Sequence, residues 1–312
     1  MKSHLSLKWL FIFLNNYIRS VPKGEHRNCL VCKDSKLKPL TGFEKHHLVK
    51  CGSCGFVFCQ PIPTQEELNA VYEGYGRNDY LSELTIQAYE RVLDSFEPYR
   101  KTNRLIDVGC GIGYFLEVAK RRGWEVYGTE FTEEAVKICE AKGASMQLGP
   151  LNAANYEPES FDVICSFEVI EHINNPLEEL SSFNSILRKG GLVYCTTPNF
   201  NAIERHQLKA DWNVLTYPEH LSYYTPSTLK RVFKEAGFSP KKVLATGVSI
   251  TRIKKSQGKS DQAIISATSD DEKLRNQIAG NPLLGVAKDV INWKLTLFGV
   301  GNSLKGWFVK TG

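Results

Sequence analysis

Leu105-Ile-Asp-Val-Gly-Cys-Gly-Ile-Gly113 runs from a short apolar strand straight into a glycine-rich turn, and Tyr114 then opens a helix. A backbone that must come close to a cofactor needs residues without a Cβ, and glycine alternates through this turn. A nicotinamide-dinucleotide fingerprint, Gly-x-Gly-x-x-Gly, would place glycine at position 114, where this chain has Tyr114. Asp107 stands just ahead of the turn, and a carboxylate there suits the zwitterionic tail of an amino acid better than a pyrophosphate. A second acid, Glu130, ends the next predicted strand, where it can accept hydrogen bonds from both hydroxyls of a ribose. The pattern predicts a nucleoside-type cofactor with an amino-acid tail.

Outward from this turn, strands and helices alternate. Strands are predicted at Arg104–Val108, Trp124–Thr129, Ala144–Leu148, Phe161–Ser166, Leu192–Thr196 and Lys241–Ile250. Helices are predicted at Tyr114–Arg122, Thr132–Lys142, Leu177–Leu187 (stopped by Gly190-Gly191) and Pro226–Ala236. This rhythm predicts an α/β fold whose mostly parallel sheet is covered on both faces. Ser303–Lys310 reads as a seventh strand, antiparallel to the sixth, and residues 255–301 read as an insertion between them.

Ahead of this region stand Cys29-Leu-Val-Cys32 and Cys51-Gly-Ser-Cys54. Two Cys-x2-Cys knuckles separated by eighteen residues fall within the spacing of tetrahedral zinc sites. Four protein ligands leave no position for a catalytic water, so the expected Zn2+ is structural. Cys59 lies just outside the second knuckle and reads as a bystander. Cys110, Cys139, Cys165 and Cys195 stand singly and read as free thiols in a reducing, cytoplasmic setting.

The segments Ile106–Gly113, Phe161-Asp-Val-Ile164, Glu168-Val-Ile-Glu-His172 and Leu187-Arg-Lys-Gly-Gly191 resemble the class I S-adenosylmethionine-dependent methyltransferases. The cysteine ribbon followed by Gly55-Phe-Val-Phe58 and Pro61-Ile-Pro63 is similar to the subgroup that includes bacterial sugar methyltransferases. The resemblance covers Cys29 to Ile250 and returns at Ser303–Lys310. It implies a Rossmann-like sheet of seven strands, the last antiparallel, behind a small zinc ribbon. It implies S-adenosyl-L-methionine held by Asp107, Gly109, Cys110, Gly111, Gly113, Glu130, Phe131, Leu151 and Phe167. The sugar C-methyltransferases carry Tyr-x-Glu-His beyond the fifth strand, and this chain has Tyr217-Pro-Glu-His220. The resemblance therefore implies that His220 takes the acceptor's proton, with Tyr217 assisting and Glu219 orienting the imidazole. His172 reads as orienting the turn after the fourth strand, and Trp212 as either a sugar-stacking ring or a core anchor. The large further domain of the C-methyltransferases does not follow the seventh strand, which leaves carbon and oxygen open as the methylated atom.

The expected acceptor is a small glycosyl-type molecule, nucleotide- or lipid-linked, of the kind used in polysaccharide biosynthesis. A zinc-ribbon RNA methyltransferase is the first rival. The net charge of the 312-residue chain is only +5, and the patch of lysines near the knuckles (Lys33, Lys36, Lys38, Lys45, Lys50) is short and has little aromatic interleaving. The tetrapeptide after the fifth strand, Thr197-Pro-Asn-Phe200, also lacks the signature of amino-group methylation. Both points argue against nucleic acid as the partner. A non-catalytic assembly protein is the second rival, opposed by the intact Asp107, glycine turn and Glu130.

The expected organisation is an apolar helix at 1–24, the ribbon at 25–60, a helical linker or lid at 61–102 and the catalytic domain at 103–312. The run Trp9-Leu-Phe-Ile-Phe-Leu14 is far short of the ~20 residues a membrane span requires. It reads as a helix packed on its own protein, or as an interfacial helix touching a membrane surface through residues 5–18.

Overall fold

A computed structural model describes residues 24–73, 80–259 and 266–312. The expected N-terminal apolar helix and its membrane-touching stretch at 5–18 lie outside the described residues. Three short antiparallel strands come first: β1 (Leu37–Pro39), β2 (Leu48–Cys51) and β3 (Val57–Cys59). Helix α1 (Gln65–Glu73) follows, opened by a reciprocal cap in which the Glu67 amide donates to Thr64 and the Thr64 amide to Glu67. Helix α2 (Glu83–Asp94), capped by Ser82, leads toward the sheet.

The alternating region then builds β4 (Arg104–Val108), α3 (Tyr114–Arg121), β5 (Glu125–Glu130), α4 (Glu133–Ala141) and β6 (Ser145–Leu148). It continues with β7 (Phe161–Phe167), α5 (Pro176–Ile186), β8 (Leu187–Pro198), α6 (Ile203–Leu208), β9 (Ser222–Tyr223), α7 (Pro226–Glu235) and β10 (Phe238–Thr246). Helices α8 (Ile250–Ser256), α9 (Asp270–Ala279) and α10 (Pro282–Phe298) precede β11 (Ser303–Lys310). Seven strands form one sheet in the order β10-β11-β8-β7-β4-β5-β6, with β11 antiparallel to both of its neighbours. β7, with both faces covered by helices, is buried from Phe161 to Ser166.

Two strands depart from the sequence reading by more than two residues, the fifth and the sixth. Leu187 is the first residue of β8 rather than the last of a helix, because its carbonyl is taken by the buried Lys310 ammonium. The sixth strand begins at Phe238 and ends at Thr246, earlier than expected at both ends. Its pairing register shifts between Pro240 and Lys242, which accommodates a proline that has no N–H to donate. Beyond Gly247, Asp271 accepts the amides of Ile250 and Thr251 and turns the chain into α8.

The ribbon is not a separate bead. β9, which lies beyond β8 in the sequence, pairs antiparallel with β3 and completes a four-stranded sheet β1-β2-β3-β9. The Cys59 amide donates to the Leu221 carbonyl at 2.8 Å, and the His47 and Tyr217 rings meet edge to face. Trp212 is 2% exposed and packs in the same core with Phe43 and Phe200, so it is the anchor rather than a stacking platform. Among the described residues no helix is long and apolar enough to cross a membrane.

Candidate active site

The glycine turn hangs on β5. The amides of Gly109 and Cys110 donate to the Thr129 carbonyl at 3.0 and 3.1 Å, and Gly111 donates to the Glu130 carboxylate at 2.9 Å. Gly111 has φ +55°, and a Cβ there would project into open space, the space a bound cofactor would need. At Gly109 a Cβ would come within 2.7 Å of the Val169 side chain, so that position has no room for one. The other Glu130 oxygen accepts the Phe131 amide at 2.7 Å. The carboxylate stays half-exposed, with lone pairs left for hydroxyl donors. Asp107 is 2% exposed, and its Oδ1 has no hydrogen-bond partner. Burial, then Cys139 and Glu130, hold this carboxyl well above the usual range. A buried oxygen without a donor fits a cofactor that brings its own ammonium group. Leu151 is buried beyond β6, and Phe167 ends β7 in an aromatic cluster with Tyr89, Phe115 and Tyr194. Cys110 and Cys139, separate in the sequence, lie with their sulfurs 3.9 Å apart. A cavity of about 390 Å³ against Arg104, Tyr127 and Met146 takes no wall from the glycine turn.

Near the carboxyl ends of β7 and β8 the chain assembles a second group. His172 and His220 meet edge to face with ring centroids 4.7 Å apart. The Nδ1–H of His172 donates to the Glu219 carbonyl at 2.8 Å, and that of His220 to the Val214 carbonyl at 2.7 Å. The Val214 carbonyl assigns the His220 tautomer and makes its Nε2 the acceptor nitrogen. The His220 imidazole is thus held by the Val214 carbonyl, where the Glu219 carboxylate was the expected partner. Glu171, 2% exposed, accepts from Thr197 Oγ1 at 3.0 Å. One ligand atom from each of Glu171, His172 and His220 lies within 4.8 Å of the others. Three such atoms can share a proton, or they can hold a divalent cation. Burial, then His172, push the His220 imidazole down to about 3, and burial first pushes the Glu171 carboxyl up. The Tyr217 hydroxyl points to Glu67 at 3.4 Å, outside this trio.

In the ribbon, Cys29 and Cys54 sulfurs lie 3.5 Å apart, as do those of Cys32 and Cys51, and all four lie within 4.8 Å of one another. A zinc tetrahedron with ~2.3 Å bonds has edges of about 3.8 Å, so the set fits. The Val31 amide donates to Cys29 Sγ and the Cys54 amide to Cys51 Sγ, contacts that stabilise thiolates. Cys59 stays outside this set, its thiol donating to the His46 and His220 carbonyls.

A family model described as a methyltransferase domain matches residues 78–243, just over half of the chain. The chain belongs to the S-adenosylmethionine-dependent methyltransferases. It is 30% identical over 176 residues to the ubiquinone biosynthesis O-methyltransferase of Roseobacter denitrificans, covering 53% of this chain and 71% of that protein. The Cereibacter sphaeroides protein of the same name is 28% identical over 176 residues, with the same shares covered. A SAM-dependent methyltransferase of Archaeoglobus fulgidus superposes with a TM-score of 0.49 and 20% identity, covering 73% of this chain and 94% of that one.

The methyl donor of this methyltransferase is S-adenosylmethionine, and the fit of Asp107, Gly111 and Glu130 agrees with it. Glu130→Ala removes a carboxylate suited to the ribose hydroxyls and the acceptor of the Gly111 amide. It is expected to weaken S-adenosylhomocysteine binding by about 1.5–3 kcal/mol, the worth of hydrogen bonds to a charged group. Calorimetry on the two proteins checks this, and an unchanged affinity would remove Glu130 from the site. Two residues of this methyltransferase escaped the sequence reading, Glu168 and Glu171. Their only signal was the motif Glu168-Val-Ile-Glu-His172, in which the histidine alone drew notice.

Proposed function

We propose that this methyltransferase transfers its methyl group to a hydroxyl oxygen of a small glycosyl-type acceptor, with His220 taking the acceptor's proton. The observation that carries the proposal is the His172–His220 pair, ring centroids 4.7 Å apart, beside the Glu171 carboxyl. S-adenosylmethionine, when bound, supplies an electrophilic methyl group on a sulfonium. The protein's own task is then to align a hydroxyl and accept its proton. The hydroxyl's proton would pass to His220 Nε2, beside the Glu171 carboxyl, which burial holds toward its neutral form.

Oxygen is favoured as the methylated atom by the similarity to O-methyltransferases. The glycosyl class rests on the resemblance of Tyr217-Pro-Glu-His220 to the sugar-methylating motif. A structural zinc on Cys29, Cys32, Cys51 and Cys54 belongs to the same proposal, because β3 braces the segment that carries His220.

A second reading, an acceptor from ubiquinone biosynthesis, is favoured by the names of the relatives. One comparison separates the two. Mass spectrometry of glycans and of isoprenoid quinones, from cells with and without the gene, should show a 14-dalton loss in a glycan component. A change confined to the quinones would replace the glycosyl reading with the second.

A further inference from the structure

Helix α10 turns its polar side chains toward the protein. Asn281 caps its first turn by accepting the Leu283 amide at 3.0 Å, and Gly299, with φ +67°, ends it. Between these caps, Asn292 accepts the Gly247 amide at 2.9 Å and Thr296 donates to the Ala245 carbonyl at 3.0 Å. These bonds to the end of β10 fix the rotation of the helix, and Leu295 is buried on the same side. The outward side is apolar. Leu283, Val286, Val290, Trp293 and Leu297 recur at steps of three and four residues and so form one stripe. All five are exposed, Leu283 at 80% and Trp293 at 63%. Val248, just beyond the Gly247 that Asn292 holds, adjoins them and is exposed as well. A contiguous apolar surface rimmed by polar groups marks a contact with something else.

Width and charge decide what covers it. Leu284, Ile291 and Phe298, also exposed, broaden the stripe to roughly half of the helix circumference, more than the seam that one partner helix fills. The charge on the outward side is positive. Lys294 is exposed there, whereas Asp289 is paired with Lys288 at 3.4 Å. The acids of the neighbouring α9 are engaged too, Asp270 by Lys254, Asp271 by the α8 amides and Glu272 by Arg275. Residues 1–23 hold Lys2, Lys8, Arg19 and Lys23 and no aspartate or glutamate, so they would meet Lys294 with like charge. A surface of anionic lipid offers both a broad apolar layer and headgroups that a lysine reaches on its flexible stem. We infer that α10 docks this methyltransferase on an anionic membrane surface, lying along the interface with Trp293, Leu297 and Phe298 in the acyl boundary. Its 17 residues span only about 25 Å, so it rests on the bilayer and does not cross it. This surface is separate from residues 5–18 and gives the 255–301 insertion a role. Asn199, at the carboxyl end of β8, donates to the Gly299 and Gly301 carbonyls at 2.9 and 2.6 Å. Docking through α10 therefore sets the edge of the sheet that carries His172 and His220 next to the lipid, whichever acceptor is methylated.

The test is flotation of the full chain, supplied with zinc and saturating S-adenosylhomocysteine, on lipid vesicles. Vesicles of phosphatidylcholine and phosphatidylglycerol in equal parts should carry the protein, with binding that weakens as salt rises. Phosphatidylcholine alone should carry far less. Trp293→Ser and Leu297→Ser should each weaken binding roughly tenfold, and Lys294→Gln roughly fivefold. Lys137→Gln, an exposed change on α4, should leave it unaltered. S-adenosylhomocysteine affinity should be the same in all of these proteins, which shows that the variants fold and separates docking from binding of the methyl donor. Binding lost in Phe11→Ser yet undiminished in Trp293→Ser and Leu297→Ser would assign the contact to the N-terminal run and overturn the inference. A chain that ignores the vesicles, and that Trp293→Ser converts from dimer to monomer in sedimentation, overturns it in favour of a second copy on α10. Failure to float with either vesicle, with no change of oligomeric state, overturns it outright.

Discussion

His220→Ala should lower methyl transfer by roughly 10²–10⁴-fold while leaving S-adenosylhomocysteine affinity nearly unchanged. The separation follows from position. The cofactor loop hangs on Thr129 and Glu130 of β5, whereas His220 is held by the Val214 carbonyl in the segment beyond β8. Tyr217→Phe should cost less, since the ring keeps its contact with His47 and only a 3.4 Å hydroxyl contact to Glu67 is lost. The pH dependence has a defined sign. An unfolded histidine protonates near 6.5, but burial and His172 hold the folded imidazole down to about 3. The folded state therefore binds fewer protons in that window, so His220 contributes stability above about pH 6.5 that is lost as pH falls toward 3. For the same reason the acid limb of kcat/KM should fall well below 6.5. Near-normal turnover by His220→Ala would return the role to His172. Turnover lost to a chelator and restored by a divalent cation would instead assign Glu171, His172 and His220 to a metal.

Loss of the zinc proposed for the ribbon should have an effect of similar size. Cys54→Ser is expected to lose one bound zinc per chain and to unfold residues 25–60, because structural zinc supplies folding free energy on the order of 10 kcal/mol. The consequence should reach the active site, since β3 pairs with β9 and Cys59 bonds both Leu221 and His220. Turnover should therefore fall with the metal, again at constant S-adenosylhomocysteine affinity. Metal analysis, hydrogen exchange across the ribbon and an activity assay read the three effects. Metal-free protein whose ribbon amides remain protected would show that the thiols hold the module without an ion.

What was legible in the sequence was local. Asp107, the alternating glycines and Glu130 lie within one strand–turn–helix–strand unit, so their spacing carries the cofactor's outline directly. Thr132 caps α4 as a threonine ahead of two acids should, and Ser303–Lys310 alternates buried and half-buried residues as an internal strand. The knuckle cysteines are likewise local in pairs, and only the gap between the pairs had to be bridged.

The sequence by itself determined the sheet, the glycine turn and the four thiols; these follow from short-range periodicity and from residue types that permit few alternatives. The tertiary structure alone decided the acceptor side. His172 and His220 are forty-eight residues apart, and nothing in either neighbourhood announces the other. Their meeting depends on β9 leaving the catalytic region to complete the ribbon sheet. The Glu171 carboxyl joins the acceptor side through Thr197, which donates to it because β7 and β8 lie side by side. Electrostatic fields act through space, so a site built from charges on distant elements exists only once packing has brought them together.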